Sequence, residues 1–230
     1  DLGRTAEAAP LLTSSIETLS AELGPDVRRT LDARSDHARL LRITGRLVDA
    51  EREFGATAEG LARAIGPNHP DTLKMRKGQA LVRADLGEYE LARSTLLDVL
   101  ERIRAHHSGD PVLVTALHDL AGFELDAGDP ERGEQLLLEA AEESERFFEP
   151  HHPHALAIRG DLAARWKDTG RLEEARDLLE SVIADEERVW GAEHPYRLVH
   201  AAGLGAAYLA LGENENCLLY TSDAADEGHG

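Results

Sequence analysis

The chain has 230 residues, and its 44 acidic against 25 basic side chains give a formal net charge of -19. Phosphate backbones and anionic bilayers would meet a repelling field, which excludes nucleic-acid and membrane binding from the expected functions. Only 4% of residues are aromatic and Ala, Leu, Glu and Arg dominate, so an all-α fold is expected because these side chains lose little freedom in a helix. No apolar run is long enough for a membrane span, and no charged-then-apolar start resembles a signal peptide. Cys217 is the single cysteine, which forbids an intrachain disulfide and points to a reducing, cytoplasmic compartment. The excess of Arg over Lys fits GC-rich codon usage and a bacterial source. A start at Asp1 without Met fits a fragment of a longer protein.

In chain order, Gly3, Gly45, Gly87, Gly128, Gly170 and Gly212 recur at spacings of 42, 42, 41, 42 and 42. The text around them repeats as LGRTAEAA, TGRLVDAE, LGEYELAR, AGDPERGE, TGRLEEAR and LGENEN. Each glycine lies between two helical patterns, where it can take the left-handed conformation that ends the first. Seven residues before the glycine stands a small residue (Ala38, Ala80, Ala121, Ala163, Gly205) and five after it another (Ala8, Ala50, Ala92, Gly133, Ala175). Nine after it stands a large apolar one: Leu12, Phe54, Leu96, Leu137 or Leu179. Small residues let two helix axes approach and large ones fill the groove between successive hairpins. This predicts a partial hairpin over 1–22, complete ones over 23–64, 65–106, 107–148 and 149–190, and a partial one over 191–216. The first helix of each pair is preceded by a polar loop in which Pro70, Pro111, Pro153 or Pro195 falls near the helix entrance, where a missing amide donor is harmless.

With a connector reading GPNHPDTL from Gly66 to Leu73, the array over 1–216 resembles tetratricopeptide repeats of the kinesin light chain type. The resemblance implies a right-handed α-solenoid whose first helices line a concave, protein-binding groove. Carrying over the columns three, six, ten and thirteen before each glycine puts Arg42, Arg39, Ser35 and Asp32 in that groove, followed by Ala84, Leu81, Lys77 and Lys74. The next two repeats contribute Leu125, Gly122, His118 and Thr115, then Lys167, Ala164, Gly160 and Ala157. Arg39, Arg42, Lys74, Lys77, His118 and Lys167 are thus the candidate binding residues, and the first four predict a basic patch for an acidic peptide or a C-terminal carboxylate. Kinesin light chains present paired asparagines ten and nine residues before the glycine. Here those pairs are Ser35-Asp36, Lys77-Gly78, His118-Asp119, Gly160-Asp161 and Ala202-Gly203, which argues against kinesin-type cargo recognition. Arg34, Arg76 and Arg159 recur one column earlier, with heads expected to reach acids.

Enzymatic chemistry has no visible carrier: there is no G-x-S-x-G, no phosphate-cradling glycine loop and no H-E-x-x-H. His151, His152 and His154 suggest a metal site, but His69, His152 and His194 share one connector column and read as repeat punctuation; no metal and no cofactor is expected. Acid-base pairs such as Glu173 with Arg176 and Glu142 with Arg146 read as solvated helix faces. Residues 217–227, CLLYTSDAADE, resemble the frame translation of a transposase sequencing adapter, so 217–230 are expected to be non-native. The resulting expectation is a scaffold of a bacterial regulatory or signalling protein, not an enzyme, with a sensor of signalling peptides as the alternative. Similar arrays are joined to Ser/Thr kinases, STAND ATPases or CHAT domains.

Overall fold

A computed structural model describes residues 2–213; the adapter-like segment 217–230 lies outside them. Ten helices, and no strand among the described residues, follow one another: α1 (Leu2–Glu22), α2 (Arg28–Ile43), α3 (Leu47–Ile65), α4 (Pro70–Asp85), α5 (Tyr89–His106), α6 (Val112–Asp126), α7 (Pro130–Phe147), α8 (Pro153–Asp168), α9 (Leu172–Trp190) and α10 (Pro195–Leu211). The all-α repeat fold read from the glycine period is the one observed. Two compact units divide the chain, the first ending at Ala116 and the second beginning at Leu117, inside α6.

The turn between paired helices has one construction throughout. Gly45 (φ 75°) and Gly87 (φ 84°) adopt the left-handed conformation, which a side chain would strain. The next residue closes the helix end: Arg46 N donates to Leu41 O at 2.9 Å and Glu88 N to Arg83 O at 2.9 Å. The second unit repeats it, with Asp129 N on Glu124 O at 2.8 Å and Arg171 N on Trp166 O at 2.9 Å.

The connector histidines are helix caps. His69 accepts the Asp71 amide on Nδ1 at 3.2 Å and His152 accepts that of His154 at 3.2 Å. His194 does the same for Tyr196 at 3.4 Å. In the second unit the capping ring also lies on the aromatic residue ending the preceding hairpin: Phe148 and His152 stack at 4.2 Å between centroids, and Trp190 and His194 lie 4.4 Å apart. A filled N-cap contributes about 1 kcal/mol.

The small-residue columns are buried, with Ala38, Ala50, Ala80, Ala92, Ala121, Ala163 and Ala175 all at 0% exposure. The large column (Phe54, Leu96, Leu137, Leu179) is buried beside them. In the first unit Leu31, Leu41, Phe54, Leu61, Met75 and Val82 form one core, and in the second Ala163, Leu179, Ile183, Leu204 and Tyr208 form another. Each leucine so buried contributes roughly 1.5–3 kcal/mol.

Both named surface arginines take other partners: Arg146 keeps a helical offset but uses the acid three residues before it, and Arg176 leaves the offset altogether. Arg146 turns to Glu143 at 2.9 Å, and Arg176 to Asp177 at 2.7 Å and Glu213 at 2.6 Å. Hydrogen bonds to Asp177 and Glu213 hold the Arg176 guanidinium well above the usual arginine range.

Candidate binding groove

In the first unit, α2 and α4 present the columns singled out above. Arg39, Arg42, Lys74 and Lys77 come together around a cavity of about 230 Å³ whose remaining lining is Ile43, Phe54, Met75, Gly78 and Leu81. The floor is the edge of the core, since Phe54 and Met75 belong to it. Gly78 permits this arrangement: a Cβ there would lie 2.4 Å from the Phe54 ring, so α4 backs onto the aromatic side chain. Among the described residues, no carboxylate lines this cavity.

Next to it is a smaller cavity of about 150 Å³, where Asp32, Asp36 and Asp71 join Arg39 and Lys74 over Leu61 and Met75. The groove of this unit is therefore graded, acidic at one end and cationic over an apolar floor at the other. Arg39 straddles the two and bonds Asp36. Arg42 Nε donates to Asp85 Oδ2 at 2.8 Å. Lys74 is exposed, and no carboxylate pairs with it among the described residues. The cations are thus not equivalent, because Arg39 and Arg42 are held in exposed pairs of little gain in stability, whereas Lys74 is not.

The other two candidates lie in the second unit. His118 on α6 bonds Asp161 on α8, Nε2 to Oδ2 at 2.7 Å. Lys167 on α8 lies 3.8 Å from its neighbour Asp168.

Sequence reasoning missed the apolar half of the site, Phe54 and Met75, which it could assign only to packing. It also missed the neutralising acids, although a signal exists. Arg42–Asp85 and His118–Asp161 are each 43 residues apart, and Arg28–Asp71, bonded at 2.7 Å, has the same separation. A residue on one first helix meets, on the next, the position one beyond its repeat equivalent.

No group of three His, Cys, Asp or Glu among the described residues is placed to hold a metal ion. No helix among them is long and apolar enough to cross a membrane.

Paired helices at a 42-residue period, closed by left-handed glycines, define an all-α repeat fold of the tetratricopeptide type. The family model described as tetratricopeptide repeat matches residues 112–184. Among solved structures, the chain is similar to the kinesin light chain nearly identical TPR-like repeats of Podosopora anserina, with a TM-score of 0.71 and 23% identity over 85% of this chain and 93% of that one. It is similar to BtubC (BKLC) from P. vanneervenii at a TM-score of 0.80 and 18% identity, covering 100% of this chain and 93% of the other. A third is the STAND signal-transduction ATPase with a tetratricopeptide repeat sensor from Pyrococcus horikoshii: TM-score 0.73, 17% identity, 92% of this chain and 32% of that one. A search of curated protein sequences found no match. Tetratricopeptide repeat proteins are generally protein-interaction scaffolds.

Proposed function

We propose that this chain is a non-enzymatic, cytoplasmic interaction scaffold of a bacterial regulatory or signalling protein, and that the groove of its first unit takes an acidic segment of a partner. The observation that carries this reading is the cavity in which Arg39, Arg42, Lys74 and Lys77 surround Phe54, Met75 and Leu81. Such a lining suits one bulky apolar side chain of an extended peptide, with carboxylates on either side meeting the cations. Burial of the apolar anchor supplies affinity, and the charges supply orientation and a faster encounter. Arg42 and Arg39 are held in place by Asp85 and Asp36, which preorganises them, while Lys74 offers a charge that no described carboxylate neutralises.

The test is binding of a labelled peptide with one leucine flanked by glutamates to the whole chain and to Lys74→Glu/Lys77→Glu. Affinity is expected to fall at least tenfold in the variant, and in the unchanged protein to weaken as salt is raised. Unchanged affinity in the variant refutes the groove.

The similarity to a STAND ATPase whose repeats are described as a sensor favours a second reading, in which the array senses a signalling peptide for a fused kinase, STAND ATPase or CHAT domain. Sequence adjoining the array in its source genome decides between the two.

A further inference from the structure

Three repeats carry an arginine eleven residues before the turn glycine: Arg34, Arg76 and Arg159. Two of them are held by carboxylates. Arg34 Nε bonds Glu53 at 2.9 Å. Arg159 bonds Asp185 at 3.0 Å, Ser181 at 2.7 Å and the Pro150 carbonyl at 3.1 Å. Arg76 is different. It makes no ion pair or hydrogen bond with any described residue, and its Nε is buried without a partner.

The repeat explains the vacancy residue by residue. Thr95 stands where Glu53 serves Arg34, and Arg102 stands where Asp185 serves Arg159. Asn68 stands at the position of Asp26, whose charge acts on Arg34. Each acid that bonds the column arginine elsewhere is thus replaced here, and the acid that this repeat does bring to a partner position, Asp98 where Ser181 bonds Arg159, is bonded to Arg102 instead.

Arg102, at the repeat position of the Asp185 that bonds Arg159, has its own partners. Its Nη1 donates to Asn68 Oδ1 at 3.0 Å, and Asn68 follows Pro67, the repeat equivalent of the Pro150 whose carbonyl Arg159 bonds. His107 Nε2 meets the Asn68 carbonyl at 2.6 Å and His106 Nε2 the Asn68 amide at 3.0 Å. The acids acting on Arg102 are Asp98, bonded to its Nε at 2.8 Å, and Glu101. Both serve Arg102, and neither bonds Arg76.

We propose that Arg76 receives a carboxylate supplied in trans by the acidic side chain of a partner protein. The ligand class follows from the chain itself, which uses a carboxylate for this arginine column in both other repeats. The side chain is already half-buried, so a carboxylate that meets its two terminal nitrogens gains charge-assisted bonds without first displacing an internal acid. The proposal rests on the protein-binding reading, and it adds a second contact, on α4 and α5, made of residues other than the groove cations.

The experiment is calorimetric titration at low salt of hexaglutamate and of citrate into the full chain carrying Lys74→Glu/Lys77→Glu, which removes the groove lysines. Hexaglutamate is expected to bind this background and to lose at least fivefold in affinity on adding Arg76→Gln. Thr95→Glu, which supplies in cis the acid that Glu53 supplies to Arg34, is expected to block binding with the helical circular dichroism signal intact. Failure of hexaglutamate to bind the background, equal binding with Arg76→Gln, or binding of citrate alone overturns the proposal. Because the groove is already disabled, success or failure here is independent of the leucine-peptide result.

Discussion

Glu186 on α9 is 1% exposed, and its one bonded oxygen meets Nδ1 of His200 on α10 at 2.9 Å. The other oxygen has no partner. Sixteen residues after each turn glycine, the same column holds Leu61, Ile103 and Ser144, of which Leu61 and Ile103 are core side chains. The column facing it holds Met75, which packs in one cluster with Leu61. A Leu–Met contact of the first unit is therefore a Glu–His contact in the second. Replacing His200→Met alone strands a buried carboxylate, which costs about 3–5 kcal/mol. Replacing Glu186→Leu alone strands a single imidazole donor, about 1–3 kcal/mol. The double variant recreates the Leu61–Met75 pair and is expected to match or exceed the unchanged protein, since apolar replacement of a buried pair is often neutral or stabilising by roughly 1–4 kcal/mol. Urea unfolding followed by tryptophan fluorescence reads the second unit alone, because Trp166 and Trp190 are the two tryptophans and both lie beyond Leu117. A double variant as unstable as the two single losses added together refutes the exchange. So does a His200→Met variant within about 1 kcal/mol of the unchanged protein.

Gly78→Ala would place a Cβ 2.4 Å from the Phe54 ring. Overpacking of about 1–3 kcal/mol exceeds the helix-propensity gain of about 1 kcal/mol, so a lower unfolding midpoint and weaker leucine-peptide binding are expected together; a stabilised variant contradicts the close approach. Hydrogen bonds from Arg63, Arg46 and Arg171 hold the carboxyls of Asp26, Asp49 and Glu174 below the usual carboxylate range. Since these folded values are depressed, the unfolded chain binds more protons there. The stability they add is complete above the ordinary carboxylate range and is lost as pH falls through the folded values. Carboxyl titration by NMR should show Asp26 returning upward in Arg63→Gln, and all three groups are exposed enough that the stability change is small.

The fold was legible because three signals agree. A glycine at constant period, small residues on both sides of it and a proline-marked connector each imply a hairpin, and Gly45, Ala38 with Ala50, and the His69-Pro70 cap realise them. What the period could not show is which substitution inside a column changes the chemistry. Glu186 reads as one more acid on a helix rich in them until the column places it where Leu61 is buried. The histidines were correctly read as repeat punctuation, but their role as cap acceptors through Nδ1 became visible only with the amides of Asp71 and His154 in place.

The groove was half legible for a related reason. Columns three, six, ten and thirteen residues before the glycine bring Arg39, Arg42, Lys74 and Lys77 together, yet a list of cations says nothing of what neutralises them. Partners on adjacent first helices lie one residue beyond the repeat, so Asp85 meets Arg42 and Asp161 meets His118, an offset invisible when columns are compared at equal phase. Applied to the arginines eleven before the glycine, the phase comparison works in the opposite sense. The expectation that their heads reach acids holds for Arg34 and Arg159 and fails for Arg76, because Thr95 and Arg102 occupy the positions of the acids. A net charge of -19 makes such a failure informative. In a chain with carboxylates to spare, this half-buried guanidinium lacks one because two acid positions of its column are filled by Thr95 and Arg102 and the acid at a third, Asp98, is bonded to Arg102, and that is the kind of place where a partner can supply it.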